Sequence, residues 1–141
     1  MTIKLAVIGM SEGNGHPYSW SAICNGYEPS LMEYCGYPVI PRYLEQKTWP
    51  DEQIQGARVT HIWTQDIELS RQVAQATHIK HVVTEMRDLM GQVDAVLLAR
   101  DDAQNHLAIA KPFLEAGLPV YIDKPICLGL TELDKLYALQ Q

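Results

Sequence analysis

Hydrophobic positions alternate along this chain between two rhythms. Short, nearly continuous apolar runs occupy residues 3–8, 57–64, 81–83, 93–99 and 120–122. Runs of that length, rich in Val, Ile and aromatic residues, predict strands covered on both faces. The intervening segments carry helical spacing. Leu69, Val73 and Ala76 fall on one face of a helix over 67–77, with Asp66 as its N-cap. Residues 17–26 predict a helix with Pro17 in its first turn and Asn25-Gly26 at its end, turning Trp20 and Ile23 or Cys24 toward the sheet. Residues 84–90 predict a helical turn or two, closed by Gly91. A further helix opens at His106 and stops at Gly117, and Pro112 within it should kink or split it. Strand and helix in strict alternation imply a parallel sheet with right-handed crossovers, an α/β doubly wound architecture of at least five strands.

Two stretches lie outside this rhythm. Residues 27–56 are rich in Pro, Tyr and Glu, and Pro29, Pro38, Pro41 and Pro50 interrupt them. A short helix over 41–46 and a turn over 49–54 are the elements expected there. A long irregular segment inside a compact domain is uncommon and often functional. It is either an insertion beside a binding crevice or a surface excursion. At the other end, residues 131–139 predict a helix, with Thr131 and Asp134 as a capping box and Leu133, Leu136 and Tyr137 as an apolar stripe.

Composition narrows the picture a little. A chain of 141 residues suits one domain. The formal net charge of −6 argues against nucleic acid or an anionic membrane as the main partner. No apolar run approaches the roughly 20 residues of a membrane span, and with Met1 leading directly into the first strand no signal peptide is expected. Cys24, Cys35 and Cys127 are widely spaced and form no Cys-x-x-Cys pair. They suit a reducing cytoplasm and not a disulfide framework, and no metal site is expected.

The candidate chemistry sits where strands end. The first strand closes on Gly9 and runs into a turn containing Ser11, Glu12, Gly13, Asn14 and Gly15. A glycine-rich turn before a helix can aim backbone amides at a pyrophosphate. Relative to Gly-x-Gly-x-x-Gly, Gly9 fits, Ser11 replaces the second glycine, and Gly13 and Gly15 are out of register. A tight turn without a ligand is the alternative. The last strand ends in Asp123-Lys124-Pro125. The carboxyl ends of parallel strands open into the crevice where ligands bind, so Lys124 stands at that edge and Pro125 fixes the backbone beyond it.

Over most of its length, the stretch from about Tyr27 to Gly56 excepted, the chain resembles the glucose–fructose oxidoreductase / inositol dehydrogenase / MocA family. The resemblance rests on the strand 93–99, on His106, on Leu114-Glu115-Ala116-Gly117, and on Asp123-Lys124-Pro125, with Asp for the more usual Glu. It implies a Rossmann-type dinucleotide-binding domain over 1–125 and a connecting helix over 126–141 that leads toward a second, substrate-binding domain absent from this chain. It implies NAD or NADP as cofactor, and hydride transfer to or from a hydroxyl-bearing carbon of a sugar or cyclitol. Lys124 becomes the catalytic residue. Gly9, Ser11, Gly13, Asn14, Gly15, Thr64, Arg100, His106, Asp123 and Pro125 become candidate cofactor contacts. Thr64 stands where family members hold the adenosine ribose with an acid, and this leaves NAD versus NADP open. His106 lies beside the nicotinamide or caps its helix. Arg100-Asp101-Asp102 replaces the usual Thr-Pro, and the run to His106 is one residue longer. Arg100 therefore reaches a phosphate or acidic substrate, or pairs with Asp101 or Asp102. The isolated domain implies uncovered apolar residues over 128–139 and hence a homo-oligomer. A non-catalytic nucleotide- or sugar-sensing module on the same fold is the competing function, and a domain for an adenosyl donor is a third.

Overall fold

The computed structural model describes residues 1–140. Five strands, β1 (Ile3–Ile8), β2 (Ala57–Trp63), β3 (His81–Val82), β4 (Ala95–Leu98) and β5 (Val120–Ile122), form one sheet in the order β3-β2-β1-β4-β5. Every pairing is parallel. The order reverses between β1 and β4, so the connections after them leave to opposite faces of the sheet and form the crevice typical of a doubly wound sheet. The expected architecture is present, each strand within two residues of its predicted ends.

Helices cover both faces. On one side lie α1 (His16–Asn25), α2 (Pro29–Met32), α3 (Val39–Glu45) and α4 (Ile67–Ala76). Their core includes Val7, Tyr18, Met32, Leu44, Ile62 and Val73. On the other side lie α5 (His106–Glu115) and α6 (Leu130–Ala138). There Ala6, Ile8, Leu98, Phe113 and Leu136 pack together. Residues alternate across β1 because successive side chains of a strand point to opposite faces. Ala6 and Ile8 serve one core and Val7 the other, and all three are fully buried.

Local chemistry accounts for most boundaries. The Asp66 carboxylate accepts from the Glu68 and Leu69 N–H groups, capping α4 as expected. Four expectations need correction. Pro112 neither ends nor splits α5, because the helix runs on to Glu115. No Thr131 capping box forms; Gly129 is the N-cap, and Glu132 reaches back to the Leu128 N–H at 3.1 Å. Helix α3 starts at Val39, two residues before Pro41. In α1 the buried face is Tyr18, Ser21, Ala22, Cys24 and Asn25, while Trp20 is only partly covered. The tyrosine won the inner position because the residues of α2 and α3 supply a second layer for it to pack against.

Those residues are ordered. Met32, Cys35, Ile40 and Leu44 enter the core. Trp49 donates its indole N–H to Leu44 O at 2.9 Å and stacks edge-on against Tyr27. The insertion is thus an additional wall over α1 and α4, held by its own buried side chains.

Candidate active site

The turn after β1 is stretched between two strands. Gly9 has φ +75° and donates its N–H to Trp63 O. Gln65 then clamps Met10, accepting from its N–H at 3.0 Å and donating to its carbonyl at 2.6 Å. Ser11 Oγ donates to Asp101 at 2.5 Å. Gly13 has φ +78° with open space beside it. Asn14 Oδ1 accepts from the His16 N–H at 3.0 Å and so finishes the N-terminus of α1. Among the described residues, the N–H groups of Ser11, Glu12, Gly13 and Gly15 have no protein partner. Unpaired amides before a helix N-terminus are what an anion needs.

Gly15 has a different reason to be glycine. A Cβ there would lie 2.5 Å from Ile40 Cδ1 and 2.8 Å from Tyr37 Cγ. The insertion therefore packs directly onto the turn. Together with the start of α1 they enclose a cleft of about 500 Å³. Gly13, Asn14, Gly15 and His16 form one side, Tyr37, Ile40 and Tyr43 another, and Asp101 and Lys124 complete it. Of the two expectations for the insertion, the crevice-side one holds.

Lys124 stands where β5 ends, exposed, and none of the ion pairs engages its ammonium. Pro125 follows through a cis peptide bond and is exposed. Asp123 faces inward. It is only 4 % exposed. Its Oδ2 accepts from Asn14 Nδ2 at 2.8 Å and pairs with His16 Nδ1 at 2.6 Å, and its Oδ1 accepts from the Lys124 N–H at 2.8 Å. Burial pushes this carboxyl up, but the Asn14, His16 and Lys124 donors outweigh it and hold the group below its ordinary value. Asp123 is thus an internal strut that holds Asn14, His16 and the Lys124 N–H together.

Three other candidates lie away from the cleft. Arg100 pairs with Asp102, its Nε donating at 2.7 Å, the second of the two alternatives considered for it. Its aliphatic stem covers Gly9, with Cγ 2.5 Å from where a Cβ would stand. Asp102 falls to about 2, chiefly through the Arg100 hydrogen bond. His106 is fully buried. One ring nitrogen lies 2.5 Å from Arg100 O and the other 3.1 Å from Ile126 O, so the ring ties the loop after β4 to the loop after β5. Thr64 is buried, and its hydroxyl donates to Asp66 O at 2.6 Å beside Ser70 Oγ. No carboxylate stands free at the end of β2, since Asp66 caps α4.

The sequence reading passed over His16, Tyr37, Ile40 and Tyr43. A histidine directly before Pro17 in the glycine turn was the one available signal. The tyrosines were invisible because only the folded insertion brings them to the turn.

A switch-point cleft with unpaired turn amides and an unpaired lysine at a strand end defines a nucleotide-binding α/β domain. The family model described as "Oxidoreductase family, NAD-binding Rossmann fold" (GFO_IDH_MocA) matches residues 34–141, and the chain belongs to that family. The match leaves out β1, the glycine turn and α1, the part whose sequence departs from the usual pattern. No curated protein sequence matches the chain. Among solved structures, an oxidoreductase from Agrobacterium radiobacter in complex with NAD+, L-tartaric acid and magnesium is similar at 17 % identity and TM-score 0.70, over 99 % of this chain and 32 % of that one. Scyllo-inositol dehydrogenase from Lactobacillus casei with bound NAD(H) and scyllo-inositol is similar at 16 % and 0.65, over 99 % and 33 %. Myo-inositol 2-dehydrogenase from Lactobacillus plantarum is similar at 16 % and 0.65, again over 99 % and 33 %. At such identities the likeness is one of fold. The chain spans about a third of the length of these structures.

The residues present fit the family's dinucleotide in part. The free amides and the open side of Gly13 suit a pyrophosphate, and Lys124 suits the reacting end. Two features depart: the Arg100 stem takes the space over Gly9, and β2 ends on Thr64, its hydroxyl donated to Asp66 O, where the resemblance expects an acid for the ribose.

Proposed function

We propose that residues 1–125 form the dinucleotide-binding domain of an NAD(P)-dependent dehydrogenase acting on a hydroxyl-bearing carbon of a sugar or cyclitol. Residues 126–140, with α6, form the connection toward a substrate-binding domain; Gln141 lies outside the described residues. The carrying observation is the single cleft shared by the glycine turn and Lys124 at the topological switch point. When bound, the nicotinamide cofactor supplies the hydride acceptor or donor. The chain's own groups do the rest. The amides of Ser11, Glu12, Gly13 and Gly15 and the N-terminus of α1 hold the pyrophosphate. The Lys124 ammonium stabilises negative charge on the substrate oxygen as its proton leaves. The insertion, through Tyr37, Ile40 and Tyr43, excludes water from one side.

The affinity expected of this chain is low. Loss of a charged hydrogen bond to the ribose costs about 1.5–3 kcal/mol, or about one to two powers of ten in dissociation constant. Calorimetric titration should give weak binding of NAD and NADP with little preference between them. Absence of binding of both at millimolar concentration (order of magnitude set by the same arithmetic), with the fold intact, would favour a second reading. That reading is a sensing module without turnover, and the departures of the glycine turn and of Thr64 from the family pattern are the observations behind it.

A further inference from the structure

The cleft holds one group that neither the fold nor the Asp-Lys-Pro motif accounts for. We propose that His16 is the proton-transfer residue of the cleft, positioned by Asp123, and that its Nε2 takes the proton of the substrate hydroxyl. This rests on the dehydrogenase reading above.

The geometry runs from the inside outward. The Asp123 carboxylate is buried, and its donors come from three directions: Asn14 in the turn, His16 at the start of α1, and its own neighbour's N–H. An ionised carboxylate only accepts hydrogen bonds. The ring nitrogen facing it at 2.6 Å, Nδ1, therefore carries a hydrogen. In the neutral ring that leaves Nε2 bare, on the far side from Asp123. His16 is 34 % exposed at its side chain and lines the cleft. Trp20 fixes the ring plane, stacked at 4.6 Å between centroids and 14° between planes. A histidine held in one tautomer by a buried carboxylate, its ring part-exposed in the cleft lining, is the arrangement of a general base.

The remaining groups around the ring agree with that role. Asp123 pairs with it from the end of β5, and Lys124 of the same strand end, Asp101 of the loop after β4, and Tyr37 and Tyr43 of the insertion line the same cleft. Tyr37 is kept protonated by burial, with Cys35, Asp101 and Glu12 adding to the effect. It cannot compete as a base.

The step balances as follows. The substrate O–H bond breaks and its proton goes to Nε2. The freed electron pair becomes the second bond of the carbonyl. The pair of the adjacent C–H bond departs as hydride to the oxidised nicotinamide class of acceptor named above. Asp123 offsets the charge that the ring gains, and Lys124 the charge that develops on oxygen. In the reverse direction Nε2–H returns the proton.

The test uses the full chain labelled with nitrogen-15. Long-range proton–nitrogen spectra should show His16 as one tautomer, with hydrogen on Nδ1, and Asp123→Asn should turn it into a mixture. Diethyl pyrocarbonate, which attacks bare imidazole nitrogen, should modify His16 several-fold more slowly in Asp123→Asn. NADH with myo-inositol should perturb the His16 Nε2 resonance. Should Asp123→Asn fail to fold, Asn14→Ala offers the same comparison with one strut removed, and the wild-type tautomer stands without either. Hydrogen on Nε2, or a resonance unmoved by NADH at a concentration where calorimetry shows it bound, would overturn the assignment. Calorimetry of NAD on the same sample separates this failure from failure of the dehydrogenase reading.

Discussion

Single residues set the shape of this site and its response to acid. Gly15 is glycine because Tyr37 and Ile40 sit where a Cβ would go. Gly15→Ala should therefore destabilise by about 1–3 kcal/mol, the usual range for overpacking, seen as a lower urea midpoint. Gly13→Ala meets no atom and should lose only the cost of its positive φ, about 1 kcal/mol. The carboxyls of Asp102 and Asp123 both lie below their ordinary 3.8 in the folded state. Groups of that kind stabilise above the unfolded value, and the contribution disappears as pH falls through the folded one. For Asp102, lowered to about 2, the window is pH 4 down to 2 and the contribution about 2 kcal/mol. Arg100→Met should flatten stability across that window in acid titrations followed by circular dichroism. His61 works in the opposite part of the scale. Burial lowers it, helped by His81, which stacks on it at 4.6 Å, and by Lys4. The unfolded chain therefore binds the proton first, and stability should begin to fall as pH drops below about 6.5. His61→Phe should remove that part of the slope.

At the scale of elements, the Asp66 cap of α4 is expected to contribute about 1 kcal/mol, and Asp66→Ala should lower the thermal midpoint correspondingly without changing cofactor affinity. The insertion is the more consequential element. Ile40 is buried where α3 meets the glycine turn. Ile40→Ala should cost about 2–5 kcal/mol and widen the cleft, and weaker nicotinamide dinucleotide binding should accompany the lower stability. Equal binding with reduced stability would show that the insertion is a wall of the core and not of the site. His106 belongs at this scale too. It links the loops after β4 and β5 through their carbonyls, so its replacement is expected to loosen Lys124 without touching any ligand.

For the whole molecule, both faces of the sheet are covered, yet Ile126, Leu128, Leu130 and Tyr137 remain exposed around α6. Apolar residues gathered in one place recruit partners. Self-association through this end is expected, and sedimentation should show it; Leu128→Glu with Leu130→Glu should reduce it. A clean monomer at high concentration would contradict the expectation. Among the described residues no helix is long and apolar enough to cross a membrane, and no group of three or more His, Cys, Asp or Glu is placed to hold a metal ion.

Alternating apolar runs and helical spacing were enough to read five parallel strands, their order of appearance, the Asp66 cap and Lys124 at the edge of β5, because periodicity and caps are local properties of the chain. The strand-end motif carried the family for the same reason. The resemblance made Asp123, Arg100, His106 and Thr64 candidate cofactor contacts, with ion pairing open for Arg100 and capping for His106; in the fold each is hydrogen-bonded within the protein. A residue next to a site in sequence turns toward or away from it according to the partners it finds: Asn14 for Asp123 and Ile126 for His106 come from distant segments, while Asp102 for Arg100 and Ser70 for Thr64 are close in the chain. His16 and Asp123 are 107 residues apart. No local pattern couples them; they meet because β1 and β5 end at the same edge of a sheet whose order is set by long-range pairing.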